Sequence, residues 1–181
     1  MHEPPKWPKV VGVLSMIFGF LGLVLGVGGV ALMPVWAGFM EQPLQGAPPP
    51  PSVQLTPLLI ALTAAGGVIN IILIAAGFTT IARKPLGRSL HLAYAVLSAL
   101  GAIAGLFYQM QTQQAVLQWA KDYPDNPIAQ QMTSGAQAVG QIVGLAIGMA
   151  LALAWPVFCI IWFGMIKRHA DSMGELPELT A

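Results

Sequence analysis

Charge is what this chain mostly lacks. Of its 181 residues, 8% are charged, against about 25% in a soluble globular domain. A water-soluble fold of this length could not clothe its surface with so few ionised groups, and a hydrophobic content of 56% points the same way. The formal net charge of +1 comes without any basic run suited to a phosphate backbone, so no nucleic-acid partner is expected. Cysteine is scarce too: Cys159 stands alone, which excludes an intrachain disulfide and a cysteine-based metal site. The histidines, at 2, 91 and 169, have no metal-ligand spacing. No zincin, nucleophile-elbow, Walker or dinucleotide-glycine motif occurs. The run Gly26-Val-Gly-Gly29 is glycine-rich but lies in an apolar stretch where a phosphate has no place. No catalytic, cofactor-binding or metal-binding residue is therefore expected, and no enzymatic activity.

The few charges fall in short zones: Glu3–Lys9, Glu41, Arg83–Arg88, Lys121–Asp125 and Lys167–Glu178. Between them run four apolar stretches. Each is long enough for the about 20 residues that carry a helix across a ~30 Å hydrocarbon core. The expected spans are about 10–36, 58–82, 90–112 and 143–166. Helix is the default for each, because lipid offers no partner to an unpaired backbone group. The first run is too long for the apolar core of about 7–15 residues in a cleaved signal peptide. The expected fold is all-α, one integral membrane four-helix bundle over 1–181, with a tail at 167–181.

Lysine and arginine set the expected orientation. Lys6 and Lys9 precede the first span, Arg83, Lys84 and Arg88 lie between the second and third, and Lys167 and Arg168 follow the fourth. An even number of spans puts these anchors on one side, and only Lys121 on the other. The positive-inside rule then places both termini in the cytoplasm. The expected location is the cytoplasmic membrane of a bacterium. His91, just past the inner loop, is expected at the cytoplasmic interface. Pro85 and Gly87 are expected to end one helix and reverse the chain.

Two further segments lie on the opposite side. An outer loop is expected over about 39–57, and its Gly46-Ala-Pro-Pro-Pro-Pro51 favours an extended polyproline conformation. It reads as a stiff spacer, with recognition by a partner as the alternative. The helical pattern of the third span continues through Gln109-Met-Gln-Thr-Gln-Gln114 to Trp119, with no breaker before Pro124. From Leu90 to Ala120 that helix would be about 46 Å long, more than the bilayer core needs. Asn126-Pro127 has the form of an N-cap followed by a first-turn proline. The third and fourth helices are therefore expected to leave the bilayer as a glutamine-rich hairpin over about 109–140, a solvated extension or a docking surface.

Small residues carry the packing signal within the spans. Gly12, Ser15, Gly19, Gly22, Gly26 and Gly29 form a heptad stripe in the first. Gly140, Gly144 and Gly148 repeat every four residues in the fourth, and Ala95, Ser98, Ala102 and Gly105 line the third. Lipid supplies no hydrophobic drive for helix pairing, so close backbone approach must. The stripes are expected to bury within the bundle, with a partner subunit on the first span's stripe as the alternative. Asn70, near mid-membrane, is expected to bond to a neighbouring helix. Gln141 is the second polar residue singled out in the spans. Pro156 is expected to kink the fourth helix.

The opening Pro8-Lys-Val-Val-Gly-Val-Leu-Ser-Met-Ile-Phe-Gly19 and the turn Ala82-Arg-Lys-Pro-Leu-Gly-Arg88 resemble small, uncharacterised four-span membrane proteins of bacteria. That resemblance implies a multi-pass membrane protein and no activity. The tetraspanin and claudin families match poorly, since their extracellular cysteines are missing. The expected function is that of a non-enzymatic structural or accessory subunit. Its expected partners are the lipid bilayer and other membrane proteins or a second copy, with no metal. The alternative is an oligomeric channel or small-solute permease with Asn70 and Gln141 near the path.

Overall fold

Prolines and short polar residues decide where the helices begin. The computed structural model describes residues 6–44 and 46–165, with backbone alone at 40–43 and 136–138. In chain order these form α1 (Trp7–Ala31), α2 (Met33–Leu44), a 3-10 turn (Pro51–Val53), α3 (Pro57–Ile81), α4 (Leu86–Asp122), α5 (Pro127–Met132), α6 (Gly135–Cys159) and a π-helical turn (Ile160–Met165). Thr56 caps α3, its hydroxyl accepting from the Leu59 N–H at 3.1 Å, with Pro57 in the first turn. Asn126 caps α5 in the same way, accepting from Ile128 N–H at 2.9 Å. In both cases the side chain satisfies a donor that the first helical turn leaves unpaired.

Several elements depart from the sequence-based expectation. Pro34 has no N–H with which to continue the ladder, so α1 stops at Ala31, and a separate helix, α2, runs on from Met33 into the first third of the segment expected to be loop. The turn between α3 and α4 is built differently as well. Its left-handed residue is Arg83, with φ of 53°. The Arg83 N–H donates to Thr80 O at 3.0 Å and the Lys84 N–H to Thr79 O at 2.9 Å, the paired bonds that close a helix C-terminus. Gly87 lies inside α4 and serves by its size: a Cβ there would stand 2.5 Å from Thr80 Oγ1. α5 and α6 are separate helices, parted at Thr133–Ser134. α6 continues through Pro156, and its winding widens to π at Ile160.

α1 and α3 make the most extensive pair, followed by α3 with α4 and then α4 with α6. The α1–α3 seam is antiparallel and nearly backbone to backbone. A Cβ at Gly12 would stand 2.6 Å from Gly77 O, and one at Gly77 2.5 Å from Gly12 O. This geometry gathers Lys6, Lys9, Arg83, Lys84 and Arg88 at one end of the molecule, called the basic end below. Lys167 and Arg168 lie outside the described residues, as does the tail at 167–181.

The buried core is split in two. One cluster, at the basic end, joins Val11, Leu73, Tyr94, Ala95, Cys159 and Phe163 from all four long helices. A second, at the far end, joins Leu44, Trp119, Ala120 and Ala129. Much of the remaining apolar surface faces outward, with Leu25 72% and Leu151 73% exposed. Four helices are long and apolar enough to cross a membrane: Trp7–Ala31, Pro57–Ile81, Leu86–Asp122 and the stretch Val139–Met165. This is the architecture of a multi-pass membrane protein.

Candidate functional site

At the basic end the helices close on His91, which is fully buried among them. Its Nδ1 lies 2.7 Å from Gly87 O and its Nε2 2.8 Å from Ser15 Oγ. A carbonyl only accepts, so Nδ1 carries a proton. In the neutral ring Nε2 is then an acceptor, and the single Ser15 hydroxyl hydrogen divides between it and Val11 O at 2.9 Å. Phe163 stacks on the imidazole with ring centroids 4.2 Å apart. Arg88 Nε donates to Phe163 O at 2.8 Å, tying the π turn to α4. Rings continue this contact through Trp7, Trp162, Phe158 and Trp155 to Phe18. A hydroxyl beside an imidazole is the pairing of a nucleophile and its base. Here both side chains are fully buried and the ring is oriented by a carbonyl, so the pair joins α1 to α4 without presenting Oγ to a substrate.

The other half is organised in the opposite way. The α1 stripe divides: Gly12, Gly19 and Gly22 face α3, Ser15 faces α4, and Cβ positions at Gly26 and Gly29 meet nothing within 4 Å. Gly140, Gly144 and Gly148 on α6, and Gly105 on α4, also meet nothing. The expectation that all three stripes bury within one bundle is thus corrected for these positions. α6 is held to α1 and α4 near the basic end; further along, a crevice opens between it and α4, bridged at Gln141. A cavity of about 390 Å³ lies where α1, α3 and α4 diverge, with Gly26, Gly66 and Gly105 among its walls.

Between α4 and α6 runs a crevice whose upper wall is polar. Gln113 Nε2 donates to Gln141 Oε1 at 2.6 Å, the one side-chain bond between these helices among the described residues. Gln109 and Gln141 line each of three adjoining cavities there, of about 380, 450 and 480 Å³. Gly144 and Gly148 lie deeper. Sequence reasoning singled out Gln141 and the glycines separately. It missed that Gln109 and Gln113 join them, although all three amides fall at the same height once α4 and α6 are paired.

Asn70 does not make the interhelical bond expected of it. Its Nδ2 donates to Gly66 O of its own helix at 2.9 Å, and its carbonyl end packs against Gly22 of α1. Asn70 and Gln141 therefore lie on different seams. The proline segment is tied to the far end: Trp119 Nε1 donates to Pro48 O at 2.9 Å and Pro50 is fully buried, while Pro48 and Pro49 remain exposed. Asn126 Nδ2 donates to Leu44 O at 2.8 Å, fastening the end of α2 to the α4–α5 turn. Among the described residues no group of three His, Cys, Asp or Glu is placed to hold a metal ion. Comparison with protein-family models, with curated proteins and with solved structures gives no match to this chain.

Proposed function

We propose that the chain is a non-enzymatic multi-pass membrane protein that works as a structural subunit, holding another membrane protein against the open half of its bundle. The divided stripe on α1 carries this reading. Gly12, Gly19 and Gly22 are in contact with α3, whereas Gly26 and Gly29, the same pattern continued, meet nothing within 4 Å. Membrane helices pair by close approach over small residues, so a vacant glycine face in apolar surroundings suits another helix.

In this reading the basic end lies in the cytoplasm, as the positive-inside rule directs. α4 has 37 residues, about 55 Å at 1.5 Å per residue. Its far third, with α5 and the start of α6, stands outside the bilayer as a hairpin. The membrane is the cytoplasmic membrane of a bacterium, following the resemblance noted in the sequence. A solute path through Asn70 and Gln141 has less support, because these residues lie on different seams.

Purification of the full chain in mild detergent is expected to retain a stoichiometric membrane protein, and Gly29→Leu to release it while the chain stays folded. A chain that emerges alone from native membranes overturns the subunit reading. One that stays dispersed in buffer without detergent overturns the membrane reading as well. Side-specific labelling of Lys84→Cys and Lys121→Cys is expected to reach opposite faces, and labelling of both from one face overturns the orientation.

A further inference from the structure

The α4–α6 crevice changes character along its length, and the change falls at an informative depth. If the chain spans a bilayer, about 20 helical residues cross its hydrocarbon core. Counted from Arg88 on α4 and back from Met165 on α6, that distance ends near Tyr108 and Leu145. Gln109, Gln113 and Gln141 then lie just beyond the hydrocarbon, at the depth of lipid headgroups, Gly144 lies at its edge, and Gly105 and Gly148 lie within it. Tyr108, an amphipathic ring of the kind that settles at this interface, lines the same crevice.

The chemistry of the two zones differs accordingly. Among the described residues, the Gln113–Gln141 bond leaves Gln113 Oε1 and Gln141 Nε2 without a protein partner, and the Gln109 amide makes no hydrogen bond. Amides both donate and accept, which matches hydroxyl groups. No charged side chain lines any of the three adjoining cavities. Among the described residues an ionised headgroup placed there would find no counter-charge, whereas a hydroxyl meets both donors and acceptors. Below the amides, Cβ positions at Gly105, Gly144 and Gly148 meet no protein atom within 4 Å. The floor reaches Ala152, about 10 Å below Leu145, so it takes the upper part of an acyl chain within a leaflet about 15 Å deep.

We propose that one lipid with an uncharged, hydroxyl-bearing headgroup occupies this crevice, its acyl chain along the glycine floor and its headgroup on Gln109, Gln113 and Gln141. The proposal rests on the membrane reading given above and not on the identity of any protein partner. It distinguishes the far end from the basic end, where arginine and lysine side chains suit anionic lipids instead.

The test uses the full chain reconstituted into vesicles of phosphatidylethanolamine and phosphatidylglycerol containing a minor fraction of glucosyl-diacylglycerol. After gentle extraction, lipids retained per chain are counted by native mass spectrometry. One glucosyl lipid per chain is expected, enriched over phosphatidylglycerol by about tenfold, equivalent to about 1.4 kcal/mol. Gly148→Leu, which fills the floor, is expected to abolish retention. Gln109→Leu with Gln141→Leu is expected to remove the headgroup preference while an acyl chain still binds, and circular dichroism reports whether each variant is folded. Equal or greater retention of phosphatidylglycerol overturns the proposal. So does a folded, detergent-dependent chain that retains no lipid, or one whose crevice is filled by a co-purifying protein helix. A chain that needs no detergent at all defeats the membrane reading first, and the two failures are told apart by that observation.

Discussion

The basic-end half of the bundle and the half beyond it are made of the same helices and much the same residues, yet they pack differently. In the first, glycine brings α1 and α3 into backbone contact, and His91, Ser15, Arg88 and Phe163 knit α1, α4 and the π turn together. In the second, glycines on α1, α4 and α6 face open space. A small residue is therefore only a permission for close approach. Whether the approach happens is decided elsewhere, here by bulky aromatic rings and a buried polar pair that hold one end shut, and by the small far-end cluster around Trp119 that props the other.

Substitutions can break that contrast or sharpen it. The largest effect belongs to the α1–α3 seam: Gly77→Leu drives a side chain into the Gly12 carbonyl and Met16 and is expected to cost about 3 kcal/mol, read as a lower midpoint in a denaturing-detergent titration. Next is His91→Ala, which strips Ser15 and Phe163 of their partner and leaves a void. About 2–3 kcal/mol is expected, together with loss of the near-ultraviolet signal of the ring cluster. If His91→Ala proves neutral, the polar pair is not what closes the basic end.

Asn126→Ala removes both the cap of α5 and the tie to Leu44, for about 1–2 kcal/mol. Its signature is faster amide exchange in α5 and the end of α2, with the basic end unchanged. Trp119→Phe deletes the donor to Pro48 and replaces the buried indole by a smaller ring, and about 1–2 kcal/mol is expected. Limited proteolysis within 47–54 reads that loss. Smallest is Gly26→Ala, expected to be neutral or to stabilise α1 by about 0.5–1 kcal/mol, since alanine is the better helix former and meets nothing. A destabilisation at Gly26 as large as that of Gly77→Ala would erase the distinction between the two halves.

What the sequence made legible follows from which signals are local. Apolar runs free of charge located the four long helices, and Asn126-Pro127 marked a helix start because capping involves residues only two or three apart; Thr56-Pro57 carries the same signal and was not singled out. The length of α4 was readable in the absence of a breaker before Pro124. The buried pairing of His91 was not legible because it depends on Ser15, 76 residues away. The stripes were misjudged for a related reason: a pattern along one helix does not reveal where its neighbour diverges. Arg83 in left-handed geometry went unseen because Gly87 stood nearby as the more permissive residue, and sterics against Thr80 had already claimed it. The amide triad of Gln109, Gln113 and Gln141 needed the pairing of α4 with α6 before its members could be set side by side.

The π-wound turn after Cys159 carries one last implication. A π winding bonds each residue to the fifth along, so every ring takes in one residue more than an α turn does. The aromatic rings within the turn are thereby rotated about the axis relative to a regular helix. Deleting a single residue from Ile160–Met165 would let the helix relax to ordinary winding and swing Phe163 off the imidazole. The stacking of Phe163 on His91 thus depends on a count of residues as well as on their kind.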